Sequence, residues 1–226
     1  MVTEVRRQGY LKAMEIDVYM LRRERQPPES HNEGYAESGQ GKGWEALRDT
    51  VAVCTRCALH QTRTQTVFGV GNPSADWMII GEAPGQEEDR YGEPFIGRAG
   101  KKLDDALENA GLARNNVYIT NIVKCRPPNN RVPNDTEKSM CNNYLEDELK
   151  IISPKIICLL GNTPFYSILG GKEITKNHGK IITKDNRVYF VTFHPAATIY
   201  NQKLEEVFKN DIKKLVNELQ KIKHQN

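Results

Sequence analysis

The feature that most constrains this chain is an alternation of short apolar runs with longer amphipathic stretches. WMII (77–80), VYIT (117–120), IICLL (156–160) and VYFVTF (188–193) have the length and composition of strands. The stretches near 98–110 and 136–151 read as helices, a short helix follows Thr163, and a hairpin is expected around Lys184 to Asn186. Strand and helix alternate in this way when a mostly parallel sheet forms, since parallel strands need a crossover long enough to hold a helix. The expected fold is therefore α/β, a single domain whose central, mostly parallel, four-stranded sheet carries helices on both faces. In the closing helix Leu204, Val207, Phe208, Leu215, Leu219 and Ile222 recur at helical spacing, as a core-facing stripe does.

Upstream, Leu11, Met14, Val18 and Leu21 fall on one face of a short amphipathic helix between Tyr10 and Arg25. The segment PPESHNEGYAESGQGKG (27–43) is too rich in Pro, Gly, Ser and charge to be buried, and reads as a flexible linker. Residues 1–43 are thus expected to be an extension and linker, and 44–226 a single catalytic domain. With 38% hydrophobic and 27% charged residues and no apolar run of bilayer length, the chain is expected to be soluble, with no membrane association. Its first residues lack the apolar segment and small-residue cleavage site of a secretory signal, so a cytoplasmic location is expected. A net charge of +3 permits nucleic-acid binding without establishing it.

In open α/β sheets ligands bind beyond the carboxyl ends of the strands. The residues there are GEAPGQEED (81–89), Asn121 leading into KCRPPNNR, Gly161 with Asn162, and His194-Pro195-Ala196-Ala197, so four loops should meet on one rim. Each is ambiguous alone. Glu82 could be a solvated acid on a plain turn. Phe95, between Gly92 and Gly97, could plug the core or offer a ring on which a base stacks. Asn121 could merely end a strand, and His194, held by Pro195, could be structural. The shared rim raises the catalytic reading of His194.

Cys54 and Cys57 form a CxxC pair able to chelate one metal or two corners of a cluster, with Cys125 and Cys141 far downstream. By spacing, a four-cysteine zinc site, a four-iron cluster and a set of unrelated thiols all stay open. The second pair lacks zinc-ribbon spacing, which tilts the balance towards iron and sulfur. Cys158, inside IICLL, reads as a core thiol.

Taken in order, CxxC at 54–57, GEAPG at 81–85, PFIGRAG at 94–100, TNIVKCRPPNNR at 120–131, Cys141 and FHPAA at 193–197 resemble the family 4 uracil-DNA glycosylases, from about residue 44 to the C-terminus. The resemblance implies a DNA-repair glycosylase that hydrolyses the N-glycosidic bond of flipped-out uracil and leaves an abasic site. It implies a 4Fe-4S cluster on Cys54, Cys57, Cys125 and Cys141. Gly81, Glu82 and Ala83 would line the uracil pocket, Phe95 would stack on the base, Asn121 would read its edge and His194 would donate to O2. The best-known uracil glycosylases place an aspartate where this chain has Ala83, so Glu82 becomes the candidate for orienting water, and Glu88 or Asp89 for excluding the thymine methyl. Lys124, Arg126 and Arg131 would face DNA phosphates, with Ile199 or Tyr200 as the wedge that fills the gap left by the base. The implied partner is uracil-containing DNA, met by a monomer at the nucleoid. Two alternatives stand beside this: a glycosylase for other deaminated bases, and a non-catalytic iron-sulfur DNA-binding protein.

Overall fold

The structure is a computed structural model that describes the backbone of residues 39–224 and the side chains of 43–221. The helix expected between Tyr10 and Arg25 lies outside the described residues. Helix α1 (Gly39–Ala52) starts inside the stretch expected to be linker, and Val51 near its end is fully buried.

Six strands form one sheet: β1 (Gly69–Gly71), β2 (Trp77–Gly81), β3 (Tyr118–Asn121), β4 (Ile156–Leu160), β5 (Lys180–Lys184) and β6 (Arg187–Thr192), in the order β1-β3-β2-β4-β6-β5. The four strands expected from sequence are the inner, mutually parallel ones. The expected count of four is corrected to six, because β1 and β5 add antiparallel edges. Both escape a hydrophobic reading for a physical reason. Strand β1 has three residues, two of them glycine, and β5 is exposed along most of its length, as edge strands often are. The expected hairpin is present: Asp185 and Asn186 both take the left-handed conformation that a two-residue turn requires.

Alternation within the strands sorts their side chains into two layers. Met78, Ile80, Ile157, Leu159, Tyr189 and Val191 face one side, under α1, α4 (Asp135–Ile152) and α5 (Asn162–Leu169), with Leu145, Leu149 and Phe165 packed on them. Trp77, Ile79, Ile156, Cys158, Leu160 and Phe190 face the other, under α3 (Arg98–Asn109) and α7 (Gln202–His224), against Leu103, Leu107, Phe208 and Leu215. Each fully buried side chain of this size is worth about 1.5–3 kcal/mol, so the two layers fix the register of every inner strand. Two short helices complete the set, α2 (Gln86–Tyr91) after β2 and α6 (Ile174–Asn177) before β5. Among the described residues no helix is long and apolar enough to cross a membrane.

Chain direction reverses its sideways course at β2, which pairs with β3 on one side and β4 on the other. A crevice opens at the carboxyl ends of strands at such a switch point, which is where the four loops singled out by sequence emerge.

Candidate active site

The crevice is a cleft of ≈ 360 Å³ whose walls include Glu82, Glu88, Phe95, Asn121 and His194. Residues separated by more than a hundred positions thus share one hollow. Gly81 sits behind it rather than on its surface. In the β2–β3 ladder Gly81 is opposite Asn121, and a Cβ on it would overlap Asn121 Oδ1 and come within 2.5 Å of Phe95 Cζ. Only a glycine lets the asparagine and the phenyl ring close over that strand end.

Asn121 is 2% exposed, and its Oδ1 is buried with no hydrogen-bond partner, one of two such atoms among the described side chains, the other being Trp77 Nε1. An unsatisfied buried acceptor costs about 1–3 kcal/mol, so such a group in a cleft is one that water, an ion or a ligand would pair. Phe95 is buried and held at φ 55°, a conformation costly for an aromatic residue and typical of a side chain aimed by its surroundings. Its ring lies 5.6 Å from that of His194. The loop carrying it is pinned by Glu88, which accepts from the backbone N–H groups of Gly85, Ile96 and Gly97 at 3.1, 3.0 and 2.9 Å.

His194 follows β6. Its edge reaches the cleft, but its surroundings exclude enough water that burial drives the imidazole down to about 4, against a smaller upward pull from Glu88. The ring is therefore neutral at pH 7. Its Nδ1 accepts from Ala196 N–H at 3.2 Å, which leaves the proton on Nε2 as a donor. Glu82, on the opposite wall, accepts a hydrogen bond from the Thr163 hydroxyl at the start of α5. Nothing in the sequence marked Thr163 except its place just beyond β4.

The four expected cysteine ligands line a second, smaller pocket together. The local sequence explains how. Asn134 caps α4 by accepting from Glu137 N–H, Glu137 returns the contact to Asn134 N–H, and Glu137 also holds Arg131 in a two-pronged ion pair. This fixes the start of the helix that presents Cys141. Asp89 accepts from Thr64 N–H at 2.9 Å and ties the segment after the CxxC pair to α2. Burial pushes Cys141 up to about 11 and raises Cys125, so thiolates form there only beside a strong positive charge. Arg63 donates to Cys125 Sγ at 3.0 Å and Lys124 N–H to Cys141 Sγ at 3.3 Å, the kind of contacts that surround metal-bound sulfurs. Four thiols from three segments, with donors on two of the sulfurs, can hold a metal centre whose charge would offset the burial of the thiolates.

Two of the sequence expectations fail on burial. Lys124 is 1% exposed and forms an ion pair with Glu148, itself fully buried, so it cannot meet DNA phosphates. The error came from reading a cation in a polar motif as a surface group. Asp89 is likewise buried and bound to Thr64, outside the cleft wall. The other expected contacts stay accessible. Arg126 donates to Asn130 at 2.7 Å, Arg131 lines the cleft, Ile199 is half-buried, and Tyr200 is 85% exposed, with Arg98 donating to its hydroxyl at 2.9 Å.

The family described as the uracil DNA glycosylase superfamily matches residues 68–220, well over half of the chain. Among curated proteins, the type-4 uracil-DNA glycosylase of Sulfurisphaera tokodaii is 44% identical over 181 residues, 76% of this chain and 82% of that protein. That of Archaeoglobus fulgidus is 42% identical over 76% of this chain and 92% of its own length. That of Thermotoga maritima is 41% identical over 75% and 91% respectively.

Proposed function

The chain belongs to the uracil DNA glycosylase superfamily, and from that premise we propose that it removes uracil from DNA by hydrolysing the N-glycosidic bond of an everted nucleotide. The observation that carries the reading is the unpartnered Asn121 Oδ1 in a cleft shared with Phe95 and a neutral His194.

A base inside a duplex is out of reach, and extruding it costs about a few kcal/mol, which the pocket must offset. Phe95 provides a stacking face. Asn121 Oδ1 accepts from uracil N3–H while its amide donates to O4. Cytosine presents the opposite pattern and would leave both groups unpaired, which is the strongest form of rejection. As the glycosidic bond lengthens, the sugar gains positive charge and uracil becomes an anion. His194 Nε2–H, aimed at O2, stabilises charge that develops only then. We assign Glu82, oriented by Thr163, to the attacking water. Glu88, immobilised by three backbone N–H groups, is the wall assigned to exclude the thymine methyl. The product is an abasic site, with the strand uncut.

Cys54, Cys57, Cys125 and Cys141 would hold a 4Fe-4S cluster. When bound, it supplies a cross-link among the CxxC segment, the loop after β3 and α4, and takes no part in bond cleavage. Arg126 and Arg131 are assigned to phosphates, and Ile199 or Tyr200 to the gap in the stack. The protein is proposed to act as a monomer on uracil-containing DNA at the nucleoid.

Incubation with a single-uracil oligonucleotide tests this reading. Free uracil and an alkali-labile site are expected, with turnover lost and DNA binding kept in Asn121→Ala and His194→Ala. No uracil release from folded, iron-loaded protein would refute the activity, and folded protein holding zinc instead of iron and sulfide would refute the cluster.

A further inference from the structure

Beneath the cleft lies a polar network that the proposed chemistry does not use. Lys124 Nζ donates to the main-chain carbonyl of Asn121 at 3.1 Å and to Thr120 Oγ1 at 2.5 Å, and it pairs with Glu148 of α4. Glu148 also accepts from Tyr118 Oη at 2.9 Å and from Thr120 Oγ1 at 3.2 Å. Tyr118 Oη in turn accepts from Trp44 Nε1 of α1 at 3.2 Å. Lys124, Glu148, Tyr118 and Thr120 are each no more than 1% exposed. Burying two charges is expensive, and a pair of apolar side chains would often stabilise the fold as well or better. Stability is therefore a weak explanation for this pair, and its position suggests another.

Helix α4 holds the segment after β3 at two points. Cys141 accepts from Lys124 N–H at 3.3 Å, and Glu148, seven residues or about two turns further along the same helix face, takes the ammonium of the same lysine. Lys124 then reaches back three residues to the last carbonyl of β3, that of Asn121. On the other side, Asn121 lies opposite Gly81 in the ladder, and the residues after it are tied to the β2 exit by Ile122 N–H to Gly81 O at 2.9 Å and Val123 N–H to Glu82 O at 3.3 Å.

We infer that the buried Lys124–Glu148 pair is a positioning device for Asn121, fixing the backbone from which its amide meets the pyrimidine edge. This rests on the reading of Asn121 given above. The pair touches no substrate, and it acts through the Asn121 carbonyl. Displacing a reacting or recognising group by about 1 Å costs on the order of 100-fold in rate, so loss of the pair is expected to lower kcat at least tenfold while leaving DNA affinity intact.

The test is the double variant Lys124→Met with Glu148→Met, which removes both charges at similar volume. Rates are expressed per folded protein, judged by its circular dichroism and thermal unfolding, so that only folded protein is counted. Inhibition by free uracil reports the pocket, and affinity for uracil-free duplex reports the rest of the DNA surface. Expected are a kcat reduced at least tenfold, weaker inhibition by free uracil and unchanged duplex affinity, which general destabilisation would not produce together. Should the double variant fail to fold, Lys124→Arg is read in the same way, because its planar fork keeps a cation against Glu148 but cannot place a donor where Nζ sits. Unchanged uracil inhibition and kcat in folded protein would overturn the inference while Asn121→Ala still weakens inhibition. If Asn121→Ala itself leaves uracil inhibition intact, the reading of Asn121 fails, and the inference with it.

Discussion

Replacing Asn121 with alanine should yield a protein about as stable as the parent and nearly inactive. The side chain is 2% exposed, and its Oδ1 has no partner, so the native fold carries an unsatisfied acceptor that costs about 1–3 kcal/mol. Truncation removes that acceptor, and against it stands the packing lost where the amide sits on Gly81 and beside Phe95. The two contributions are of similar size, so the net change lies within about 2 kcal/mol of zero in either direction. For a domain of this length that is a Tm within about 8 °C of the parent's. The rate should fall sharply. The Asn121 amide donates to O4, where part of the departing anion's charge develops, and one such donor is worth on the order of 100- to 1,000-fold in kcat, or about 3–4 kcal/mol of barrier. Thermal unfolding by circular dichroism, paired with single-turnover release of uracil at saturating enzyme, measures both. A Tm lowered by more than about 8 °C with release within about threefold of the parent would refute the reasoning, since it would make Asn121 a structural residue.

Three further outcomes are expected. His194 sits near 4 in the fold against about 6.5 in the unfolded chain, so unfolded protein takes up the proton first on acidification. Its contribution to stability is complete above about pH 6.5 and is lost between there and about pH 4; the single-turnover rate should stay flat from about pH 8 to 5, and a midpoint near 6.5 that vanishes in His194→Asn would contradict the neutral donor. Lys124→Met alone strands Glu148 in the core and should cost about 3–5 kcal/mol in urea unfolding, whereas a loss below about 1 kcal/mol would mean that the pair is not ionised. Arg126→Ala should reduce the slope of log affinity against log salt by about one while leaving kcat at saturating DNA unchanged; an unaltered slope would take Arg126 off the phosphates.

Much of the site was legible because the chemistry concentrates at strand ends, and strand ends can be counted in a sequence. WMII, VYIT, IICLL and VYFVTF located the four inner strands within a residue or two, and with them Glu82, Asn121 and His194 on one rim. Of the edges, β5 was implied only by the expected hairpin because an exposed strand carries no strong alternation, and β1, three residues with two glycines, left no pattern to read.

What the sequence determined by itself was the layered α/β architecture and the set of groups available at its rim, because hydrophobic period is a local property of the chain. The tertiary structure decided which of those groups face the cleft. Lys124 and Arg126 are two residues apart in one motif, yet the first is sealed against Glu148 and the second remains accessible. Asp89 and Glu88 are neighbours, yet one ties down the cysteine segment and the other the phenylalanine loop. Burial depends on which distant helix packs over a residue, and that is set by the three-dimensional register of the sheet.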